Sequence, residues 1–203
     1  MGNRGRYGKY GETKRLARLR MSGPKPKVNR GKPTVSRRKQ RFYKVEDPNK
    51  ERILIRPGMP SDVGFISSLS RTAFDLYGPY DVLLSQWFES GRVAALLALE
   101  GKSPAGFVML GPPFSLEHLP DTGEILAIAV IAQKRAVGVG DRLMAEALKT
   151  APHLGFKTLI LHTAIDNEPA QSLFKKHGFT PVKIKRAFYP KGQDAIMMHL
   201  HLT

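Results

Sequence analysis

Apolar and polar positions after residue 50 switch repeatedly between a two-residue and a 3.6-residue period. Arg52–Arg56 sets Ile53 and Ile55 opposite Leu54, which predicts a first strand closed by Pro57-Gly58. Pro60-Ser61-Asp62 then starts a helix, because Val63, Ile66, Leu69, Ser70, Ala73 and Phe74 keep helical spacing. Tyr77-Gly78-Pro79-Tyr80 interrupts it, and Asp81 is expected to cap a second helix running through Phe88. Val93–Leu99 and Ala105–Leu110 flank Glu100–Pro104 as a hairpin, and Gly111–Gly123 reads as a proline-bearing loop. Glu124–Val130 is apolar after its first residue, as a strand buried on both faces should be. Asp141–Ala151 carries Leu143, Met144, Ala147 and Leu148 on one helical face. A strand over Thr158–Thr163, a helix over Pro169–His177 stopped by Gly178, and strands over Val182–Arg186 and Ala195–His201 complete the chain. The order βααβββαβαββ is mixed α+β, and no internal repeat interrupts it.

The segment joining Glu124–Val130 to the following helix is the chemically distinctive one. Arg135-Ala136-Val137-Gly138-Val139-Gly140 links a buried strand to a helix, so free backbone N–H groups and the helix dipole converge on one point. Gly138 and Gly140 leave room for phosphate oxygens, and Arg135 adds charge. A P-loop would need Gly-Lys-Ser/Thr, whereas Gly140 is followed by Asp141-Arg142. A dinucleotide fingerprint would need a third glycine and a later acidic residue. What remains is a diphosphate loop of another type, or a plain tight turn.

Composition bounds the rest. The 203 residues, 41% hydrophobic, suffice for one sizeable core with an appendage. No apolar run approaches the ~18 residues of a membrane span, and the amino terminus lacks the apolar core of a secretory signal. Arg6 stands where a myristoylation motif wants Ser or Thr. Glycine and proline break any amphipathic transit helix. With no Cys there are no disulfides, no thiolate metal sites and no cysteinyl intermediate, and the expected compartment is cytoplasmic. No residue constellation suggests a metal site. Charge is concentrated: residues 1–50 hold 17 Lys/Arg against 3 acidic residues, leaving 16 against 14 for residues 51–203. The basic segment is too poor in apolar residues to offset its ordering entropy and is expected to be disordered. Its Tyr7, Tyr10, Phe42 and Tyr43 suit stacking on bases. A nucleic-acid- or ribosome-directed arm, a solvated extension, and sequence upstream of a true start at Met21 are the three readings.

The R-x-x-G-x-G pattern after an apolar strand resembles the acetyl-CoA pyrophosphate loop of the GCN5-related N-acetyltransferases (GNAT). Two further blocks strengthen the resemblance. Asn167-Glu168-Pro169-Ala170-Gln171-Ser172-Leu173-Phe174, then His177-Gly178-Phe179, is similar to the family's N-x-x-A-x-x-L-Y-x-x-x-G-F block. Lys185–Pro190 with Asp194–Met198 resembles the carboxy-terminal block of ribosomal-protein alanine and related amino-terminal acetyltransferases. The resemblance covers about residues 52–202. It implies a GNAT fold, a mixed central sheet flanked by helices, with the acetyltransferase domain over 51–203 and a basic extension over 1–50.

Roles follow from that resemblance, position by position. A bulged fourth strand would offer the backbone of Ile128, Ala129 and Val130 to the pantetheine arm of acetyl-CoA. The loop Arg135, Ala136, Val137, Gly138, Val139 and Gly140, with its amides running into Asp141, would hold the diphosphate. Asn167 would lie beside the pantetheine; it is also a good N-cap for the helix at Pro169. Glu124 would be the base that deprotonates the acceptor amine, its pKa raised by desolvation; the alternative is a solvated strand-start carboxylate. The family's thiolate-protonating tyrosine falls at Phe174, which can donate nothing, so Tyr189 or a water would substitute, or the thiolate would leave unassisted. Tyr189 would also overhang the acceptor's first residues. Trp87 suits core or cleft wall. The expected activity is acetyl-CoA-dependent transfer to an amine of a peptide or protein, by direct attack in a ternary complex. The alternatives are a small-amine acetyltransferase, and an inactive acetyltransferase domain on a basic RNA- or ribosome-binding protein.

Overall fold

In the computed structural model, which describes residues 53–113 and 120–202, the predicted element order is realised. The chain divides between Tyr43 and Lys44, and the basic segment 1–50 lies outside the described residues. Strand β1 (Ile53–Pro57) buries Ile53 and leaves Leu54 60% exposed, the alternation its sequence requires. A 3₁₀ turn over Pro60–Asp62 leads into α1 (Val63–Phe74), and α2 (Tyr80–Glu89) follows. Then come β2 (Ala94–Glu100), β3 (Ser103–Gly111), β4 (Thr122–Val130), α3 (Val139–His153), β5 (Thr158–Ala164), α4 (Glu168–Lys176), β6 (Thr180–Lys185) and β7 (Ala195–His201).

The seven strands form one sheet in the order β1-β2-β3-β4-β5-β7-β6. Only β4 and β5 run parallel; every other pair is antiparallel. Helices cover both faces. On one, Leu143, Met144 and Ala147 of α3 and Phe174 of α4 pack with Ile125, Val108, Leu159 and Leu161 of the sheet. On the other, Ile66 and Leu69 of α1 and Leu84 of α2 pack with Leu97, Phe107 and Met109. These stripes are why the periodicities were readable: each helix has one buried face and each central strand has two.

The parallel pair is short. Thr122–Ile125 lies beside Thr158–Leu161, and beyond Ile125 the two strands part although β4 continues to Val130. A bulge explains the departure. Met109 of β3 faces Ala127 while Leu110 faces Ile125, so Leu126 is an extra residue in β4. Leu126 and Ala127 therefore both turn toward α1 and α2, and Ile128 returns to the α3 face with Ile125. Such an insertion bends a strand and steepens its twist, which carries the end of β4 away from β5.

Several boundaries differ from expectation. Strand β4 starts at Thr122 rather than Glu124, and α3 starts at Val139 rather than Asp141 because Val139 is itself buried. Asp81 does not cap α2: the helix opens at Tyr80 after Pro79 with no side-chain cap. Asp81 instead accepts from Arg71 Nε of α1 at 3.1 Å. Asp62 has the stronger local role. Its carboxylate receives Arg56 Nη1 at 2.7 Å, Arg56 Nη2 at 2.9 Å and the Met59 amide at 2.7 Å. The Arg56 guanidinium holds this carboxyl below the usual range. Asp62→Asn should therefore destabilise the fold by about 1–3 kcal/mol at neutral pH. A lowered folded-state pKa gives stability that is full above the unfolded value of ~3.9 and lost as pH falls through the folded value. Denaturation curves of the two proteins should thus converge in acid; equal stability at pH 7 would contradict the assignment.

Candidate functional site

Where β4 and β5 part, the sheet opens into a cleft of about 150 Å³. Ile125, Leu126, Ala127 and Ile128 form one wall and Leu161, His162 and Thr163 the other. Because the ladder to β5 has ended, the outer edge of β4 presents backbone groups to this gap. Their identity follows from alternation. The Ile131 amide donates to Ala105 O at 3.0 Å, so Ile131, Ala129 and Ala127 direct their backbone groups to β3. Ile128 and Val130 direct theirs into the gap, and Arg135 Nε reaches Val130 O there at 3.1 Å. Of the three residues expected to line this edge, Ala129 therefore contributes position and not hydrogen bonds.

The loop beyond β4 matches its expected shape, with one shift. Ala132–Lys134 forms a 3₁₀ turn, Ala136 has φ +60°, and Gly138 is the left-handed residue that opens α3, at φ +88°. A Cβ at Gly138 would meet no protein atom within 4 Å, so glycine is needed there for conformation and leaves open space in front of it. Arg142 N bonds Gly138 O at 3.1 Å, which begins the helix ladder. The amides of Val139, Gly140 and Asp141 precede it and have no intrahelical acceptor. Val137 is exposed and Val139 buried, so Val139 can offer an incoming group its backbone but not its side chain. The Arg135 side chain reaches back to the end of β4 through its Nε. Asp141 offers its amide, while its carboxylate is engaged by Lys176 and His177 of α4.

Inside the cleft Glu124 is 8% exposed, not the solvated strand-start carboxylate that was the alternative. It hydrogen-bonds His162 Nδ1 at 2.7 Å. The His162 ring stacks on Phe188, centroids 4.3 Å apart, and its Nε2 is buried with no hydrogen-bond partner. His162 does not stand out in the sequence. Its signal was faint: a histidine beside Thr163 in a largely apolar strand. Its partner is 38 residues away and is set by parallel register alone.

The rim is aromatic. Phe74, Tyr77, Tyr80, Trp87, Phe188 and Tyr189 face the cleft. Tyr77 and Tyr189 lie 4.6 Å apart, and Tyr80 and Tyr189 6.4 Å. The β6–β7 connection reaches across to the α1–α2 connection: Lys191 N donates to Tyr77 O at 3.3 Å, and Gln193 Nε2 donates to Leu76 O. A Cβ on Gly78 would sit 2.9 Å from Pro190 Cγ, so glycine there permits the approach. Asn167 caps α4, its Oδ1 accepting from Ala170 N at 3.3 Å, and it also borders the cleft beside Tyr77. The N-cap reading of Asn167 is realised, and the residue also lies on the cleft wall. Phe174 lines the cleft as well, set edge-on to Phe179. Among the described residues no group of three acidic or histidine side chains could hold a metal ion, and no helix is long and apolar enough to cross a membrane.

A family model described as "Acetyltransferase (GNAT) family" matches residues 64–179. An N-alpha-acetyltransferase of Sulfolobus acidocaldarius is 33% identical over 151 residues, covering 71% of this chain and 89% of the relative. The ribosomal-protein-alanine N-acetyltransferase of Brucella melitensis superposes with a TM-score of 0.66 at 20% identity, covering 73% of this chain and 99% of that one. A Salmonella typhimurium protein solved with its cofactor acetyl-CoA also gives 0.66, at 18% identity, covering 75% and 95%.

The tyrosine cluster makes its own prediction. Burial pushes the Tyr189 phenol well above the ordinary range, with Tyr80 and Tyr77 adding to the effect, and burial also raises Tyr80 and Tyr77. An unperturbed phenol titrates at about pH 10. In alkaline absorbance titration, wild type and Tyr189→Phe should therefore superimpose up to about pH 10.5. A phenol signal missing from the variant below that pH would show Tyr189 to be solvated.

Proposed function

Because the chain belongs to the acetyltransferase (GNAT) family, we propose that it transfers the acetyl group of acetyl-CoA to the amino terminus of a peptide or protein. The observation that carries this reading is the cleft between β4 and β5. It has a free backbone edge on one wall, a buried carboxylate–imidazole pair within, and a tyrosine rim held shut by two connecting loops. The relative's own activity, on alpha-amino groups, supports a peptide acceptor.

The residues fit the donor substrate. Ile128 and Val130 would align the pantetheine arm through backbone hydrogen bonds. The amides of Val139, Gly140 and Asp141, beyond the open space at Gly138, would receive the diphosphate. The thioester supplies an activated acyl carbon. The acceptor nitrogen bonds to that carbon, the C–S bond breaks, and CoA departs as thiolate while the nitrogen loses a proton.

An amine is mostly protonated at neutral pH, so proton removal is the protein's main chemical task. We assign it to Glu124 and His162 together. An ionised carboxylate only accepts, so in the neutral imidazole Nδ1 of His162 would carry the hydrogen toward Glu124 and Nε2 would keep its lone pair. Phe174 cannot protonate the leaving thiolate. Tyr189 is a poor substitute, because a phenol raised above 10 does not transfer a proton downhill to a thiolate of pKa ~8.5. Its role in this reading is to donate a hydrogen bond to an acceptor-peptide carbonyl, with the thiolate leaving unassisted. Residues 1–50, with 17 cationic residues against 3 acidic ones, support a salt-sensitive RNA or ribosome contact for the extension. The absence of Cys supports a cytoplasmic setting.

The test is release of free CoA from acetyl-CoA against a panel of amino-terminal peptides and free polyamines. Peptides should turn over fastest, and Glu124→Gln and His162→Asn should each lower the rate by ~10²-fold or more, least at high pH where the amine deprotonates itself. Faster turnover of a polyamine would transfer the protein to the small-amine class. No turnover with any amine, alongside tight acetyl-CoA binding, would leave a binding domain.

A further inference from the structure

Asp141 lies in the first turn of α3, where a carboxylate favours the helix dipole but opposes any anion arriving at the same amides. Two basic side chains meet it from another element. Lys176 Nζ lies 2.7 Å from Asp141 Oδ1, and His177 Nε2 lies 2.9 Å from the same oxygen. Both belong to the end of α4, which is Glu168–Lys176 with His177 as its cap, so they also answer the negative end of that helix. Lys176 and then His177 hold the Asp141 carboxyl below the usual range. The cluster therefore ties the amino-terminal turn of α3, which follows β4, to the carboxy-terminal turn of α4, which follows β5. Packing supports the same junction: a Cβ on Gly140 would come 3.5 Å from Leu173 Cδ2. Val139, Leu143 and Phe174 share one core cluster.

We propose that Lys176 and His177 are positioning residues for coenzyme A, acting through Asp141. They neutralise the one carboxylate in the diphosphate-facing turn of α3 and pin that turn against α4. This rests on the acetyl-CoA reading of the Arg135–Gly140 loop. It assigns a binding role to residues that lie outside that motif and need not touch the coenzyme. Arg142 and Lys175 are the other charged residues beside the cluster in sequence.

The experiment is a double-mutant cycle read by calorimetric titration with CoA, with melting temperatures measured alongside. Lys176→Met/His177→Gln leaves the Asp141 charge exposed and should weaken CoA binding about three- to tenfold. Asp141→Asn keeps an oxygen for hydrogen bonding and removes the charge, so its own CoA affinity sets the level against which the repair is read. Combining all three changes should restore affinity to the Asp141→Asn level. If the Lys176/His177 variant fails to fold, Lys176→Met alone carries the same comparison. Unchanged affinity in that variant, or a loss that Asp141→Asn does not repair, overturns the proposal; the latter would place Lys176 on the coenzyme itself. Failure of wild type to bind CoA would be visible before any variant is made, and would overturn the loop reading together with this one.

Discussion

The parting of β4 from β5 is the constraint on which the rest depends. Parallel strands with both faces covered normally stay paired along their length, because an unpaired strand edge in the interior leaves donors and acceptors unsatisfied. Here the pairing stops at Ile125 and the bulge at Leu126 bends β4 away. The interior edge so created is useful only if an extended ligand completes it, and the pantetheine arm of acetyl-CoA is such a ligand. The same bulge returns Ile128 and Val130 to the α3 face and gives them their outward backbone groups. One inserted residue thus creates the gap and orients the edge that borders it.

Two electrostatic devices sit around that gap. Within it, Glu124 and His162 are withdrawn from water and paired, which leaves a single unpartnered ring nitrogen among apolar and aromatic walls. At its mouth, burial raises the tyrosine phenols above their ordinary range and so keeps them neutral. The phosphate end is built differently. In the proposed reading backbone amides and a helix dipole would provide the attraction, and the Asp141 carboxylate is countered by Lys176 and His177. Proton removal and anion binding are accordingly assigned to separate ends of one strand–loop–helix unit.

How much of this the sequence carried depends on range. The element order, the loop geometry at Gly138 and the N-cap at Asn167 are local, set by residues within a few positions of each other, and all were legible. The Glu124–His162 pair was half legible. Glu124 stood out through resemblance, but its partner depends on a parallel register that no local pattern encodes. The Leu126 extra residue is similarly silent, since an apolar residue inside an apolar strand looks the same paired or bulged. Asp81 misled because an acid after a proline-bearing turn suits a cap, yet Arg71 on the facing helix took it instead. Lys176 and His177 carry no local sign of their contact with Asp141, which His177 meets across 36 positions of the chain.

The most direct test of the account is a crystal structure of the protein with acetyl-CoA. The account predicts the pantetheine arm extended between β4 and β5, hydrogen-bonded to the backbone of Ile128 and Val130 at about 3 Å. It predicts the diphosphate on the amides of Val139, Gly140 and Asp141, and the thioester reaching the pocket that holds Glu124 and His162. Acetyl-CoA bound with its arm outside the β4–β5 gap, or with its diphosphate away from the start of α3, would contradict it.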